Sequence, residues 1–205
     1  MLYLTYIGGV MKNNEIKELI KESFYNIYLN KPLNEIRVSN ICNKAHIGRS
    51  TFYNYYKNID AILEEIENNV LNDMVKIYNE YNYQDITTLK DNNPAPNYYE
   101  MYKYVLKNKE IFNCMLKDKK GKFIVNSKIS IKEKIETTFK KYIKNKDIIN
   151  YTCDLCTEYI LTSCSLLIKY DNIITPKTLA LQTQKLILDI IKNKDNYFNE
   201  RSEKK

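Results

Sequence analysis

The sequence has no tryptophan, one histidine, four glycines and four prolines in 205 residues. So few turn-forming residues argue against a many-stranded β fold and for long helices. The lone His46 leaves no partner for His-based metal binding, and no imidazole base stands beside a nucleophile. A paired-carboxylate constellation and a Gly-rich phosphate loop are also missing, so an enzyme is not expected. Lys, Asn, Asp or Glu interrupts every apolar stretch before the ~18 residues that a membrane span needs. Five cysteines (Cys42, Cys114, Cys153, Cys156, Cys164) form an odd set without a disulfide framework, which suits a reducing cytoplasm. Cys153 and Cys156 form a CxxC inside an apolar helical run. With no second pair, packing as small hydrophobes is favoured over thiol-redox sensing or a metal site. No metal and no cofactor are expected.

What is present is enough for a core: 44% of the residues are apolar and 28% are charged. The length allows one sizeable domain or two small ones, at roughly 100–200 residues each. Nineteen tyrosines, with abundant Asn, Lys and Ile, also fit an AT-rich genome. The net charge is +7, and residues 1–57 carry a surplus of +4 of it, from Lys12, Lys17, Lys21, Lys31, Arg37, Lys44, Arg49 and Lys57 against Glu15, Glu18, Glu22 and Glu35. A basic N-terminal quarter is what a phosphate-neutralising surface needs, although basicity alone is weak evidence. The apolar opening, residues 1–11, lacks both the basic start and the cleavage site of a signal peptide. It reads as a disordered arm, or as the product of a start placed one Met too early.

Apolar spacing of three and four defines the elements. Ile16, Leu19, Ile20, Phe24, Ile27 and Tyr28 mark a first helix from Asn13 to about Leu29, stopped by Pro32. Leu33 and Ile36 are expected in a short extended link. Val38, Ile41, Cys42 and Ala45 give a second helix, His46-Ile47-Gly48 a break, and Arg49 to Tyr56 a short third helix. Asn58 has N-cap chemistry for a fourth, with Ile62, Leu63, Ile66, Val70, Met74, Ile77, Tyr78 and Tyr81 on one stripe. Residues 83–97, with two prolines, read as a loop. Two short helices follow (Tyr98, Met101, Tyr102, Val105; then Ile111, Phe112, Met115, Leu116), and a longer one runs from Phe123 to Tyr142. Residues 148–170 are apolar on more than one face. Pro176 suits the first turn of a final helix with Leu179, Leu186 and Ile190 on one side and Ala180, Ile187 and Ile191 beside them. The tail after Tyr197 should fray. The fold class is all-α, with an N-terminal unit over 12–57 and a C-terminal unit over 58–197.

Two helices joined by a three-residue turn, with apolar Ile47 in it, make a helix-turn-helix; the second helix then needs an exposed face of hydrogen-bonding groups. Arg49, Ser50, Thr51, Asn54 and Lys57 supply them. This block resembles the signature of the tetracycline-repressor (TetR) family of bacterial regulators. Val38, Ile41, Cys42, Ala45, Ile47, Arg49, Ser50, Thr51, Phe52, Tyr53, Tyr56, Asn58, Asp60, Ile62 and Leu63 match it or change conservatively, most tightly at Thr51-Phe52-Tyr53. There are four departures. His46 occupies the place of the usual turn Gly, so a left-handed backbone or a different turn is expected there. Gly48 replaces a Ser cap, Tyr55 a His, and Ile59 a Lys that commonly meets a phosphate, for which Lys57 is the substitute.

The resemblance implies a DNA-binding homodimer, usually a repressor at a palindromic operator, released by a small molecule. Arg49, Ser50, Thr51 and Asn54 would face base edges; Tyr53, Tyr55 and Lys57 would meet the backbone, and Arg37 and Ser39 join them as DNA-binding residues. It further implies a pocket for an apolar or aromatic ligand behind the fourth helix, with Met74, Tyr78, Tyr81, Tyr98, Met101, Tyr102, Tyr104, Phe112, Met115 and Tyr159 as candidates, against the plainer reading that they are core. The last two helices would dimerise through Leu155, Tyr159, Leu166, Leu167, Leu179, Leu186, Ile187 and Ile190. Tyr98 to Leu116, with Asn108 and Phe112, and the closing helix pair resemble a dihydroxyacetone-kinase-regulator-like branch of the family. A ligand-independent regulator, or one held by a partner protein, is the alternative.

Overall fold

The computed structural model describes residues 13–81, 86–90, 92–117 and 122–198. Among them there are helices and no strand. The opening arm and the end of the charged tail lie outside the described residues. The chain divides into two compact units, the first ending at Ile66 and the second beginning at Glu67. The division falls beyond the expected one at 57/58, because the first turns of the fourth helix pack with the N-terminal core.

The N-terminal unit holds α1 (Asn13–Tyr28), α2 (Val38–Ala45), α3 (Arg49–Tyr55) and the start of α4 (Ile59–Glu80). Asn58 caps α4 as its chemistry suggests, its Oδ1 accepting from the Ala61 N–H at 2.9 Å. At the start of α2, the Asn40 Oδ1 accepts from the Arg37 N–H at 2.9 Å, which leaves the Arg37 guanidinium uncommitted to the cap. The expected extended link is instead a 3₁₀ turn over Leu33–Glu35. Pro32, at φ −63°, presets that turn, and its carbonyl accepts from the Glu35 N–H at 3.0 Å. The core joins Ile20, Phe24, Ile36, Ile41, Cys42, Phe52, Tyr56 and Ile62, so every helix gives it at least one side chain.

The turn between α2 and α3 resolves the His46 departure. His46 is the only non-Gly residue with positive φ among the described residues, at φ 52° and ψ 42°. Beyond it the Ile47 N–H reaches back to the Cys42 carbonyl at 3.0 Å, the six-to-one bond of a Schellman ending, and Ile47 packs on the core. A Cβ in this conformation costs about 1–2 kcal/mol, offset in part by the greater chain entropy that glycine loses on folding. His46→Gly should therefore stabilise the N-terminal unit by about 0.5–1 kcal/mol, while His46→Val should cost at least about 1 kcal/mol. Denaturant midpoints followed by circular dichroism check the order; a less stable glycine variant would contradict it.

The C-terminal unit contains the rest of α4, a 3₁₀ turn at Ile86–Thr88, α5 (Pro96–Lys107), α6 (Lys109–Lys117), α7 (Lys122–Phe139), α8 (Lys146–Lys169) and α9 (Pro176–Phe198). Pro96 opens α5 at its first turn, so the loop ends slightly sooner than the sequence suggests. α7 stops at Phe139, short of Tyr142. Asn145 starts α8 by accepting from the Asp147 and Ile148 N–H groups. Phe112 stands edge-on between Tyr104 and Phe123, joining α5, α6 and α7. Two buried polar contacts fasten α9 to the α5 region: the Tyr102 and Thr183 hydroxyls lie 2.9 Å apart, and the Ala95 N–H donates to Gln184 Oε1 at 2.7 Å. The Cys153 and Cys156 thiols are buried on α8, and burial pushes them up to about 11 and about 12, so they remain neutral packing groups. Among the described residues, no helix is long and apolar enough to cross a membrane.

Candidate nucleic-acid interface

α3 is only seven residues long and has two distinct sides. Phe52 is fully enclosed, and the capping Tyr56 is buried with it. On the other side Arg49, Ser50, Tyr53 and Asn54 are exposed, Thr51 is half-buried at the edge, and Lys57 is exposed in the bend just past the end of the helix. Tyr53 is 56% exposed. Arg37 is exposed and Ser39 half-buried on the preceding helix. Residues 36–57 contain four basic side chains (Arg37, Lys44, Arg49, Lys57) and no acidic one. The surface is therefore cationic, with donors and acceptors among the charges.

Tyr55 sits differently from the other candidates. It is half-buried, and its hydroxyl donates to Asn13 Oδ1 at 3.1 Å, tying α3 to the start of α1. The position that departs from the family pattern thus serves as a tether within the protein.

Sequence reasoning missed the group that backs α3. The Glu65 carboxylate on α4 takes Lys17 at 2.8 Å and Lys21 at 3.3 Å from α1, and accepts from the Tyr56 hydroxyl at 3.2 Å. Lys17 also lies 5.6 Å from the centre of the Tyr56 ring. Burial by itself would raise the Glu65 carboxyl; the hydrogen bonds and charges of Lys17 and Lys21 outweigh it and hold the group below its ordinary value. The Tyr56 hydroxyl is shifted the other way, by burial first and then by the Glu65 charge. A depressed carboxyl supplies stability above its unfolded value and loses it as pH falls through the folded value. The N-terminal unit should thus begin to weaken below about pH 5. Glu65→Gln should cost about 1–2 kcal/mol at neutral pH and flatten that acid limb. Stability curves at several pH values test this; coincident acid limbs for parent and variant would dismiss the network.

The candidate ligand residues separate into groups. Met74, Tyr78, Tyr98 and Met101 line one cavity of about 40 Å³, together with Leu71, Val75, Ser127 and Ile135. Tyr102, Phe112 and Met115 are enclosed in the core, Tyr159 is half-buried and Tyr81 is 41% exposed; none of these lines it. The Tyr104 hydroxyl donates to Asp73 at 2.9 Å. Of the candidate dimer residues, Leu167, Leu179, Ile187 and Ile190 point into the chain's own core. That corrects the expectation that they meet a second copy, since two apolar stripes on one helix do not reveal which of them faces inward. Leu155 and Leu166 are exposed on α8, while Tyr159 and Leu186 are half-buried.

No protein-family model and no curated protein matches the chain. Solved structures do. The dihydroxyacetone kinase operon activator DhaS is 21% identical, with a TM-score of 0.58 over 86% of this chain and 96% of its own. A TetR transcriptional regulator from Streptococcus agalactiae is 14% identical, with a TM-score of 0.64 over 85% and 94%. A TetR-family transcriptional regulator from Syntrophomonas wolfei is 13% identical, with a TM-score of 0.66 over 88% and 96%.

Proposed function

We propose that this chain, which has the all-α fold of those TetR-type regulators, is a DNA-binding transcription regulator acting in the cytoplasm as a homodimer at a palindromic operator. The observation that carries the reading is the two-sidedness of α3: an aromatic anchor inside, and Arg49, Ser50, Tyr53 and Asn54 exposed, with Lys57 exposed just past the helix and no acid among residues 36–57. Arg49, Ser50, Thr51 and Asn54 meet base edges; Tyr53, Lys57, Arg37 and Ser39 hold the phosphates. The exposed leucines of α8 supply the dimer contact, which sets two recognition helices about one DNA turn apart. Repression is the proposed direction, although one structural neighbour bears the name of an activator.

Control by a small apolar or aromatic effector draws on the cavity behind α4. At about 40 Å³ it lies far below the ~300 Å³ of small-molecule sites, so the effector has to widen it. The same size favours a second reading, in which a partner protein or no effector at all controls DNA binding. Footprinting on the chain's own upstream DNA, with a reporter fused to that promoter, tests the main proposal. A two-fold symmetric footprint that loses affinity steeply with added salt is expected, and sedimentation should give a dimer. Absent or salt-insensitive binding would refute it.

A further inference from the structure

Taking α3 as the helix that reads DNA, the premise shared with the proposed function, we propose that Tyr55 and Tyr56 are positioning residues: their hydroxyls set the angle of α3 through Asn13 on α1 and Glu65 on α4, and so govern operator discrimination without touching DNA. α3 has little of its own to aim it. Its seven residues span roughly 10 Å, and a helix that short does not hold without packing. Gly48 at its head has no side chain to cap it, and at Tyr56 the backbone passes into an extended conformation, φ −137° and ψ 127°. The enclosed Phe52 and Tyr56 rings press the helix onto the core, but apolar burial is non-directional and leaves the tilt open.

Two hydroxyls remove that freedom at the C-terminal end. The Tyr55 hydroxyl donates to Asn13 Oδ1 at 3.1 Å and the Tyr56 hydroxyl to the Glu65 carboxylate at 3.2 Å. Adjacent residues thus reach two different helices, and because a hydrogen bond weakens steeply off line, the pair fixes a direction. The partners are themselves held. Glu65 is clamped by Lys17 at 2.8 Å and Lys21 at 3.3 Å, and Asn13 lies one helical turn before Lys17, whose ammonium also stands 5.6 Å from the centre of the Tyr56 ring. Tyr56 is 4% exposed and its hydroxyl is engaged by Glu65, so whatever it does for DNA binding passes through the orientation of α3. The lever is asymmetric: Arg49 adjoins the turn, where the Ile47 N–H is bonded to the Cys42 carbonyl, whereas Asn54 lies beyond Phe52 and next to the tethered pair. Releasing the tethers shifts Asn54 most and Arg49 least.

Selection by the full chain from a pool of random-sequence duplexes supplies the probe: the most enriched duplex, compared with a scrambled duplex of the same length and composition. Tyr55→Phe and Tyr56→Phe each remove one hydroxyl and keep the ring, and Glu65 retains both lysines. Each variant should bind the enriched duplex roughly three- to ten-fold more weakly, the scale of one net hydrogen bond, with its affinity for the scrambled duplex and its salt slope unchanged. Asn13→Ala combined with Tyr55→Phe should lose no more than Tyr55→Phe alone, since the two side chains act through one bond. Selection repeated with each tyrosine variant should relax the positions that Asn54→Ala relaxes and keep those that depend on Arg49. Circular dichroism at the assay temperature should match the parent. An unchanged ratio between the two duplexes, as a lost phosphate contact or a weakened fold gives, or additive losses at Asn13 and Tyr55, would overturn the positioning roles while leaving the DNA reading intact. A parent that enriches no duplex would overturn the DNA reading and the positioning roles with it.

Discussion

Arg49→Ala is expected to weaken operator binding by about 1–3 kcal/mol, roughly 5–150-fold in Kd, and Arg49→Ala combined with Asn54→Ala to abolish the shifted band in a low-salt gel. Both side chains are exposed on α3, so neither change disturbs the core. The distinction to measure is between reading and positioning. Losing a base contact relaxes preference at one position of the operator and its symmetry mate, whereas Lys57→Ala should weaken all sequences alike and reduce the salt slope by about one. Circular dichroism and sedimentation of the double variant should match the parent. Binding that survives in the double variant would remove α3 from the groove, whatever the rest of the chain does.

Phe52→Ala should cost the N-terminal unit about 3–5 kcal/mol, the usual penalty for deleting a fully enclosed aromatic ring. Phe52 lies among residues drawn from all four helices of that core, and its ring contacts those of Tyr53 and Tyr56. Against a total stability of about 5–15 kcal/mol for a typical domain, the change leaves this small unit marginal or unfolded at 37 °C. Because the C-terminal unit has its own core, far-ultraviolet circular dichroism should show partial loss of helix in a separate, earlier transition. A single transition at the parental midpoint would show that Phe52 contributes little.

Much of this was legible in the chain itself. The helices appear as runs of three-and-four spacing, and their ends as Pro32, Asn58 and Pro176, because both signals are local: a stripe that must be buried and a cap or breaker within about one turn. The α3 surface was legible for the same reason, since Phe52 and Tyr56 on one side oblige Arg49, Tyr53 and Asn54 to take the other. What escaped depends on residues far apart in sequence. Nothing local marks Glu65 as the partner of Lys17 and Lys21, nor Tyr55 as the partner of Asn13. The inward turn of Leu167, Leu179, Ile187 and Ile190 was hidden because periodicity shows that a stripe is buried, without naming the neighbour that buries it.

The contacts Tyr102–Thr183 and Ala95–Gln184 have a consequence for assembly. Greasy surfaces slide over each other by a helical turn at little cost, but two interior polar matches permit a single alignment, since any slip strands both pairs away from water. The last helix is thereby keyed like a bolt in its socket. The face that this helix turns outward therefore has its phase decided within the chain itself.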